Sequence, residues 1–333
     1  MGETILISGN ANIPLAEKIA EELGIGLTKV ICGRFADGEI NIEICQSIRG
    51  KDIYIIQPTC RPVNDNLMEA LLLISACRRS SARQVTLVVP YFGYARQDRK
   101  MKARAPISAA DVARLFCAMK PDRLISVDLH CGQIQGFFPP NIVLDNLQAF
   151  SVPMQFFVGL NLEKPIIISP DGGGVYRAQR FMDLFIKCSK KENVEFAMLN
   201  KQRKAANEVD NMKLVGSVQD GDCIIIDDMI DTAGTLCLAA KHLKENGART
   251  VYAFATHGLF NNPAVERITN SDLTKVIVTD SVPPMEDVVK CDKIQYVSIS
   301  VILANAIEYI QDKATSRAQN LCGMNSYEYN QSY

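Results

Sequence analysis

The sequence predicts an α/β protein of two similar domains, each a mostly parallel sheet flanked by helices. Three observations predict it. Short β-branched runs alternate with amphipathic stretches, the pattern of a parallel sheet covered on both faces. The pattern runs once, pauses near residues 148–162, and starts again. The chain has 333 residues, more than one ordinary domain and suited to two.

In the first half, Thr4–Ser8, Ile53–Gln57, Val85–Pro90 and Leu124–Leu129 read as strands. Leu15, Ile19, Ala20 and Leu23 share one helical face. So do Leu67, Ala70, Leu71 and Ile74, and again Val112, Leu115, Phe116 and Met119. In the second half, Pro165–Ser169, Cys223–Ile226, Thr250–Thr256, Lys275–Thr279 and Gln295–Ser300 read as strands. Tyr176–Cys188, Gly234–Asn246 and Val301–Gln311 read as helices. The domains are therefore drawn at 1–147 and 148–312, with a polar tail at 313–333. No sequence repeat between the halves is evident by eye.

Composition excludes several classes. Hydrophobic residues make up 47% and charged residues 22%, which suits a packed core rather than disorder. The net charge of -1 gives no global pull toward nucleic acid or acidic membranes, so neither is expected as a partner. Any bound anion must be held locally. No apolar run approaches the roughly 18 residues of a membrane helix. A basic region followed by an apolar core is missing from the first residues, so no secretory signal is expected. Leu6 stands where a myristoylation motif wants Ser or Thr. The 11 cysteines are scattered with no CxxC pair, so reduced thiols in a cytoplasmic protein are expected.

The densest signal is Cys223-Ile-Ile-Ile-Asp227-Asp228-Met-Ile-Asp231-Thr232-Ala233-Gly234-Thr235. A buried strand ends in two acids, and a small-residue turn opens the next helix. In open α/β sheets ligands bind beyond the carboxyl ends of strands. The turn offers backbone N–H groups, hydroxyls and a helix N-terminus, which suit a phosphate monoester. The paired acids can accept from ribose hydroxyls. A capped helix start with two solvated acids would look the same.

Five further segments carry chemistry. Arg34-Phe35-Ala36-Asp37-Gly38-Glu39 sets an aromatic ring beside acids, able to stack on adenine and accept from its amino group, or forms a plain Asp-Gly turn. Arg96-Gln97-Asp98-Arg99-Lys100, with Lys102 and Arg104, is rich in cations that match phosphate oxygens, or is a solvated loop. In Ser126-Val-Asp128-Leu-His130, the alternation of a strand puts Asp128 and His130 on one face at the rim, although a lone His is more often structural. Ser169-Pro170-Asp171-Gly172-Gly173-Gly174 ends a strand with glycines that free the backbone to approach a diphosphate, or is a generic turn. Lys201-Gln-Arg203-Lys204 is a basic stretch before the diacid strand.

The Asp227–Thr235 segment resembles the phosphoribosyl-pyrophosphate loop of the type I phosphoribosyltransferase fold. Together the segments resemble, in content and order, the ribose-phosphate pyrophosphokinases (phosphoribosyl pyrophosphate synthetases) of class I, from about Ile5 to about Ile310. The resemblance implies two phosphoribosyltransferase-like domains and a transferase. That enzyme moves the β,γ-diphosphate of Mg-ATP to the 1-hydroxyl of ribose 5-phosphate, giving 5-phosphoribosyl 1-pyrophosphate and AMP.

It also implies roles. Phe35, Asp37, Glu39, Arg96, Gln97, Asp98 and His130 would bind ATP, the first three from a neighbouring subunit. Asp171, Gly172, Gly173, Asp227, Asp228, Asp231, Thr232, Ala233, Gly234 and Thr235 would bind ribose 5-phosphate and the diphosphate. Asp128, His130 and Asp171 would hold Mg²⁺, and Lys201 and Arg203 would be catalytic residues on a closing flap. Ser47, Arg49, Asp145 and Asn146 would belong to regulation by inorganic phosphate and ADP. A homodimer-based oligomer is implied, with a hexamer as one form. Departures fall mostly near regulatory surfaces: Pro139 and Pro140 replace a common acid, Gly132 a Ser, Gln148 a frequent aromatic, and 183–193 is longer than usual. Two alternatives share the ancestry. One is a non-catalytic regulatory subunit, the other a nucleobase phosphoribosyltransferase, against which Arg96–Asp98 and His130 argue.

Overall fold

The computed structural model describes residues 2–205 and 208–311, with the backbone alone at 201–205 and 208–211. The first half runs β1 (Thr4–Ser8), α1 (Ile13–Leu23), β2 (Leu27–Thr28), β3 (Val30–Arg34), β4 (Ile40–Ile44), β5 (Asp52–Ile56), α2 (Val63–Arg79), β6 (Gln84–Val89), α3 (Ser108–Ala118), β7 (Arg123–Val127), β8 (Val143–Leu147) and α4 (Met154–Gly159). Six strands form a parallel sheet in the order β2-β1-β5-β6-β7-β8. Helices cover both faces, so every residue of β5 is buried. That is why these strands read as unbroken apolar runs. β3 and β4 form a separate antiparallel hairpin.

The second half runs β9 (Pro165–Ser169), α5 (Val175–Ser189), β10 (Glu195–Ala205), β11 (Glu208–Val215), β12 (Asp222–Ile230), α6 (Gly234–Glu245), β13 (Thr250–Gly258), α7 (Ala264–Thr269), β14 (Lys275–Thr279), α8 (Glu286–Val289), β15 (Ile294–Val297) and α9 (Ser300–Ile310). Its sheet order is β11-β10-β9-β12-β13-β14-β15, antiparallel only between β10 and β11.

The halves match strand for strand. β1-β5-β6-β7-β8 corresponds to β9-β12-β13-β14-β15. A 3-10 turn at Asn10–Asn12 before α1 corresponds to one at Gly172–Gly174 before α5. Each half's last helix packs on the other half's first: α9 on α1, and α4 on α5. One core therefore spans both halves, joining Leu15 and Ile19 to Ile302 and Leu303. Phe150 and Phe157 meet Phe181 edge to face within it. The sharing turns the two carboxyl-end rims toward each other.

β1, β9 and β14 have the expected bounds. Cys223–Ile226 extends to Ile230, because residues beyond the diacid still pair with β13 (Ile230 opposite Gly258). Gln295–Ser300 stops at Val297, and Ser300 already belongs to α9. The hairpins β3–β4 and β10–β11 and the edge strand β8 were not expected. Leu115 is exposed, so the apolar face of α3 is narrower than its periodicity suggested. Nine cysteines are free thiols among the described residues, but Cys188 is disulfide-bonded, against the expectation of thiols throughout. The 313–333 tail lies outside the described residues.

Candidate active site

The floor of the site is the rim where β9 and β12 end side by side. Ile168 lies opposite Ile225, so the Ser169–Gly174 loop and the Asp227 end share one edge of the sheet. Asp171 shapes the loop: its Oδ1 accepts from Gly174 N at 3.0 Å, and Ser169 Oγ donates to Asp171 O at 2.7 Å. A Cβ on Gly172 would meet nothing within 4 Å, so the backbone there is open to a ligand.

The two acids differ sharply. Asp228 accepts from His130 Nδ1 at 2.6 Å and lies 3.7 Å from the Arg177 guanidinium. Burial alone would raise its carboxyl, but the His130 bond and the Arg177 charge hold it well below the usual carboxylate range. Asp227 accepts from Asp228 N at 2.9 Å. Burial, then the neighbouring Asp228 charge, push its carboxyl up. The two neighbouring carboxyls are thus moved in opposite directions.

The Asp231–Thr235 turn follows. Asp231 accepts from Asn261 Nδ2 at 2.7 Å and pairs with Arg96 across the seam. Thr232 O accepts from Arg267 NH1 at 3.0 Å. In a trans peptide this turns the next N–H, of Ala233, the opposite way. Ala233 adopts φ +57°, and Gly234 and Thr235 then open the 12-residue α6 with its unpaired N–H groups.

From the first half come Arg96, on Asp231, and His130, on Asp228. His130 is raised above its ordinary value, chiefly by the Asp228 hydrogen bond and against burial. Gln97 Oε1 accepts from Ser108 Oγ at 2.6 Å, which docks the Arg96 segment on the start of α3. Asp98 lies close enough to His130 to reinforce its proton.

Asp128 needs correction. It does not share a face with His130, because β7 stops at Val127 and Asp128 is at φ +42°, which breaks the strand alternation. Its carboxylate is buried and accepts from Ala149 N at 3.0 Å and Thr256 Oγ1 at 2.6 Å. Both bonds tie it to the seam between the halves.

Other expected residues scatter. Phe35, Asp37 and Glu39 form the β3–β4 tip, where Phe35 is 56% exposed and Glu39 N donates to Asp37 Oδ1 at 3.1 Å. The hairpin docks on α2 through Arg34 and Asp65, 2.8 Å apart. Ser47 and Arg49 are exposed, just before β5. Asp145 pairs with Arg123, and Asn146 Oδ1 accepts from Leu129 N at 3.0 Å, both in β8. Their side chains thus carry structural bonds. The side chains of Lys201 and Arg203 lie outside the described residues. Their backbone sits in β10 beyond Met198, which is opposite Ser169, the last residue of β9.

Two contributors escaped the sequence reading, and a third, His257, belongs to a Thr256-His257-Gly258 stretch that resembles the family but carried no assigned role. Arg177, in the first turn of α5, was detectable only as a cation following a glycine loop. Arg267 holds the Asp231–Thr235 turn from α7. His257, buried at the end of β13, meets Asp128 O at 3.3 Å.

Comparison with known proteins gives consistent matches. Residues 4–119 match the family model of the N-terminal domain of ribose phosphate pyrophosphokinase, and residues 188–319 that of the phosphoribosyl synthetase-associated domain. A ribose-phosphate pyrophosphokinase of Shewanella oneidensis is 44% identical, over 96% of this chain and 99% of that protein. One from Helicobacter pylori is 47% identical over 92% of each. The crystal structure of a phosphoribosylpyrophosphate synthetase from Mycobacterium smegmatis superposes with TM-score 0.85 at 35% identity, covering 94% of this chain and all of that one.

Proposed function

The chain belongs to the ribose phosphate pyrophosphokinase family, and we propose that it transfers the β,γ-diphosphate of Mg-ATP to the 1-hydroxyl of ribose 5-phosphate, releasing AMP. The observation that carries the reading is the meeting of two rims. Arg96 and His130 from one sheet face Asp231 and Asp228 from the other. A two-substrate transfer needs such a junction, and a single-pocket binding protein does not. Identity to named pyrophosphokinases over nearly the full length favours the enzyme over a non-catalytic regulatory subunit.

Ribose 5-phosphate sets its phosphate on the Asp231–Thr235 turn, where backbone N–H groups and the α6 dipole favour an anion. Asp227 and Asp228 receive the ribose hydroxyls. Asp171, Gly172 and Gly173 line the diphosphate. Arg96, Gln97, Asp98 and His130 hold the nucleotide. His130 Nδ1 is engaged with Asp228, so its ligand contact runs through Nε2. The ribose 1-hydroxyl oxygen forms a bond to the β-phosphorus as the bond to the α-phosphoryl oxygen breaks and AMP leaves. Such transfers depend on positioning and charge neutralisation. Lys201 and Arg203 supply cations over the transferring group.

No three metal-binding side chains gather among the described residues. Mg²⁺ in phosphoryl-transfer sites is held by one or two protein ligands plus substrate phosphates and water. Asp171 and His130 are the residues for it, and the ion would neutralise phosphate charge. The exposed Phe35 tip, with Asp37 and Glu39, completes the adenine site of a neighbouring copy, so a homodimer-based oligomer is the working form. Inorganic phosphate and ADP act as regulators through Ser47 and Arg49. No helix among the described residues is long and apolar enough to cross a membrane. We place the enzyme in the cytoplasm.

AMP formation by the purified protein from Mg-ATP and ribose 5-phosphate, with and without inorganic phosphate, tests the reading. AMP matched by phosphoribosyl pyrophosphate is expected, and AMP that does not depend on ribose 5-phosphate would overturn it.

A further inference from the structure

The bonds that hold the chain behind His130 come in part from the other half of the molecule. Asp128 lies in the left-handed region at φ +42°, so its neighbours must fix it there. Three fixings are local. Asp128 N donates to Leu147 O at 2.8 Å, Leu129 N donates to Asn146 Oδ1 at 3.0 Å, and Ala149 N donates to Asp128 Oδ2 at 3.0 Å. Two come from β13. Thr256 Oγ1 donates to Asp128 Oδ2 at 2.6 Å, and His257 Nε2 meets Asp128 O at 3.3 Å.

The His257 tautomer follows from its partners. A carbonyl only accepts, so Nε2 carries the proton and Nδ1 accepts from the Ser281 hydroxyl at 2.9 Å. Ser281 Oγ also lies 3.0 Å from Thr256 O, but that carbonyl takes Thr279 Oγ1 at 2.6 Å, so turning the Ser281 proton to the ring leaves it with a donor. The imidazole is buried and stacks edge-on with Tyr91, ring centres 5.0 Å apart.

The molecule contains its own control. Asp280, after β14, repeats the device with the halves exchanged. Its N donates to Val297 O at 3.1 Å, and its Oδ1 accepts from Ile299 N at 2.9 Å. Its Oδ2 takes Lys18 at 2.9 Å, and its carbonyl takes Asn12 Nδ2 at 2.8 Å. From Asp280 the chain runs into Ser281 and Val282, both buried. From Asp128 it runs to His130, whose side chain is 37% exposed. Only one of the two anchors therefore aims a side chain at the cleft.

We propose that Thr256 and His257, on the second half, are positioning residues for nucleotide binding on the first: through Asp128 they fix the loop that aims His130 at the Mg-ATP phosphates. The role of His130 in this rests on the function proposed above.

The test uses the full-length protein and calorimetric affinity for a non-hydrolysable ATP analogue with Mg²⁺, beside affinity for ribose 5-phosphate. Thr256→Val and His257→Leu are expected to weaken the analogue about tenfold, as for one lost hydrogen bond to a charged or buried partner. Ribose 5-phosphate binding stays within about twofold. Thr256→Ser, which keeps the hydroxyl, and His257→Gln, which keeps a donor at the Nε2 position, recover most of the loss. Unchanged analogue affinity in the first two variants overturns the proposal. So does equal weakening of both ligands, or failure of the conservative variants to recover. If Thr256→Val does not fold, the two His257 variants decide the question. A wild-type protein that binds the analogue but makes no AMP refutes the proposed function, while the variants still read the positioning.

Discussion

The two sheets end in rims of the same design and opposite use. At the first rim, the space beyond β1 and β5 is filled from within. Glu69 of α2 accepts from Asn10 N, from Asn10 Nδ2 at 2.9 Å and from Gln57 Nε2 at 3.0 Å. Gln57 in turn accepts from Ala11 N at 3.2 Å. At the equivalent place in the second half, beyond β9 and β12, backbone and acids are left for a ligand. Gly172 stands where the first half has Asn10, and the Asp227–Thr235 turn stands where it has Gln57–Cys60. The difference teaches that a rim becomes a site by withholding side chains. The filled rim instead exports its chemistry from strands further along the sheet, as Arg96 and His130.

If that division holds, the largest loss should come from damage to the open rim that leaves its packing alone. Asp228→Asn keeps the shape but removes the charge that His130 and Arg177 share. It also removes the charge that, after burial, does most to push the Asp227 carboxyl up. We expect kcat/KM for phosphoribosyl pyrophosphate formation to fall about 10²-fold, the scale of misplacing a reacting group. Thermal unfolding should shift by only a few degrees. Activity within threefold of the wild type would mean the junction is ornamental and the rims are not so different.

A pair of glycine substitutions sharpens the comparison. A Cβ at Gly9 collides with the side-chain oxygens of Gln57 and Glu69. Gly9→Ala should therefore cost about 1–3 kcal/mol of stability, read from denaturant midpoints. Gly172→Ala meets nothing, so its stability should stay within about 0.5 kcal/mol. Its cost should appear instead in ligand affinity, about tenfold, because the methyl group occupies space the diphosphate needs. The reverse pattern, with the first-half variant losing substrate and the second-half variant losing stability, would exchange the roles of the two rims.

The division also explains what the sequence could say. Parallel strands with buried apolar centres announce themselves, so β1, β9 and β14 were legible to the residue. The open rim was legible too, because Asp227–Thr235 concentrates acids, small residues and a helix start in one stretch. The hairpin β3–β4 was not legible: its residues are only partly buried, and Gly33 interrupts the run. β8 hid because Asp145 and Asn146 sit inside it, and they looked like regulatory residues rather than strand. Asp128 misled because alternation along a strand holds only while the backbone stays extended, and its positive φ ends that. Arg177, and the part that His257 plays, were hidden for a different reason. Their partners lie on segments distant in sequence, and only the shared core brings them together.

The smallest expected effect separates the two seam histidines, one from each half, by sign. His130 is raised by its bond to Asp228. Its stabilising contribution is complete below the ordinary histidine value of about 6.5 and is lost as pH rises through the raised value. His257 is lowered, chiefly by burial and despite the Asp128 and Asp228 charges nearby. The unfolded chain then binds a proton that the folded chain refuses, so this residue destabilises the protein as pH falls below about 6.5. His257→Gln removes that liability and the Nδ1 acceptor for Ser281, while keeping a donor for Asp128 O. The variant should be less stable than the wild type at pH 7.5, and the gap in unfolding free energy should narrow by about 1 kcal/mol on going to pH 5.5. Urea titrations at the two pH values measure it. A gap that stays constant would mean His257 titrates alike in both states, and a gap that widens would mean the ring is charged in the fold. Either result would remove the neutral tautomer that lets Nε2 donate to Asp128 while Nδ1 accepts from Ser281.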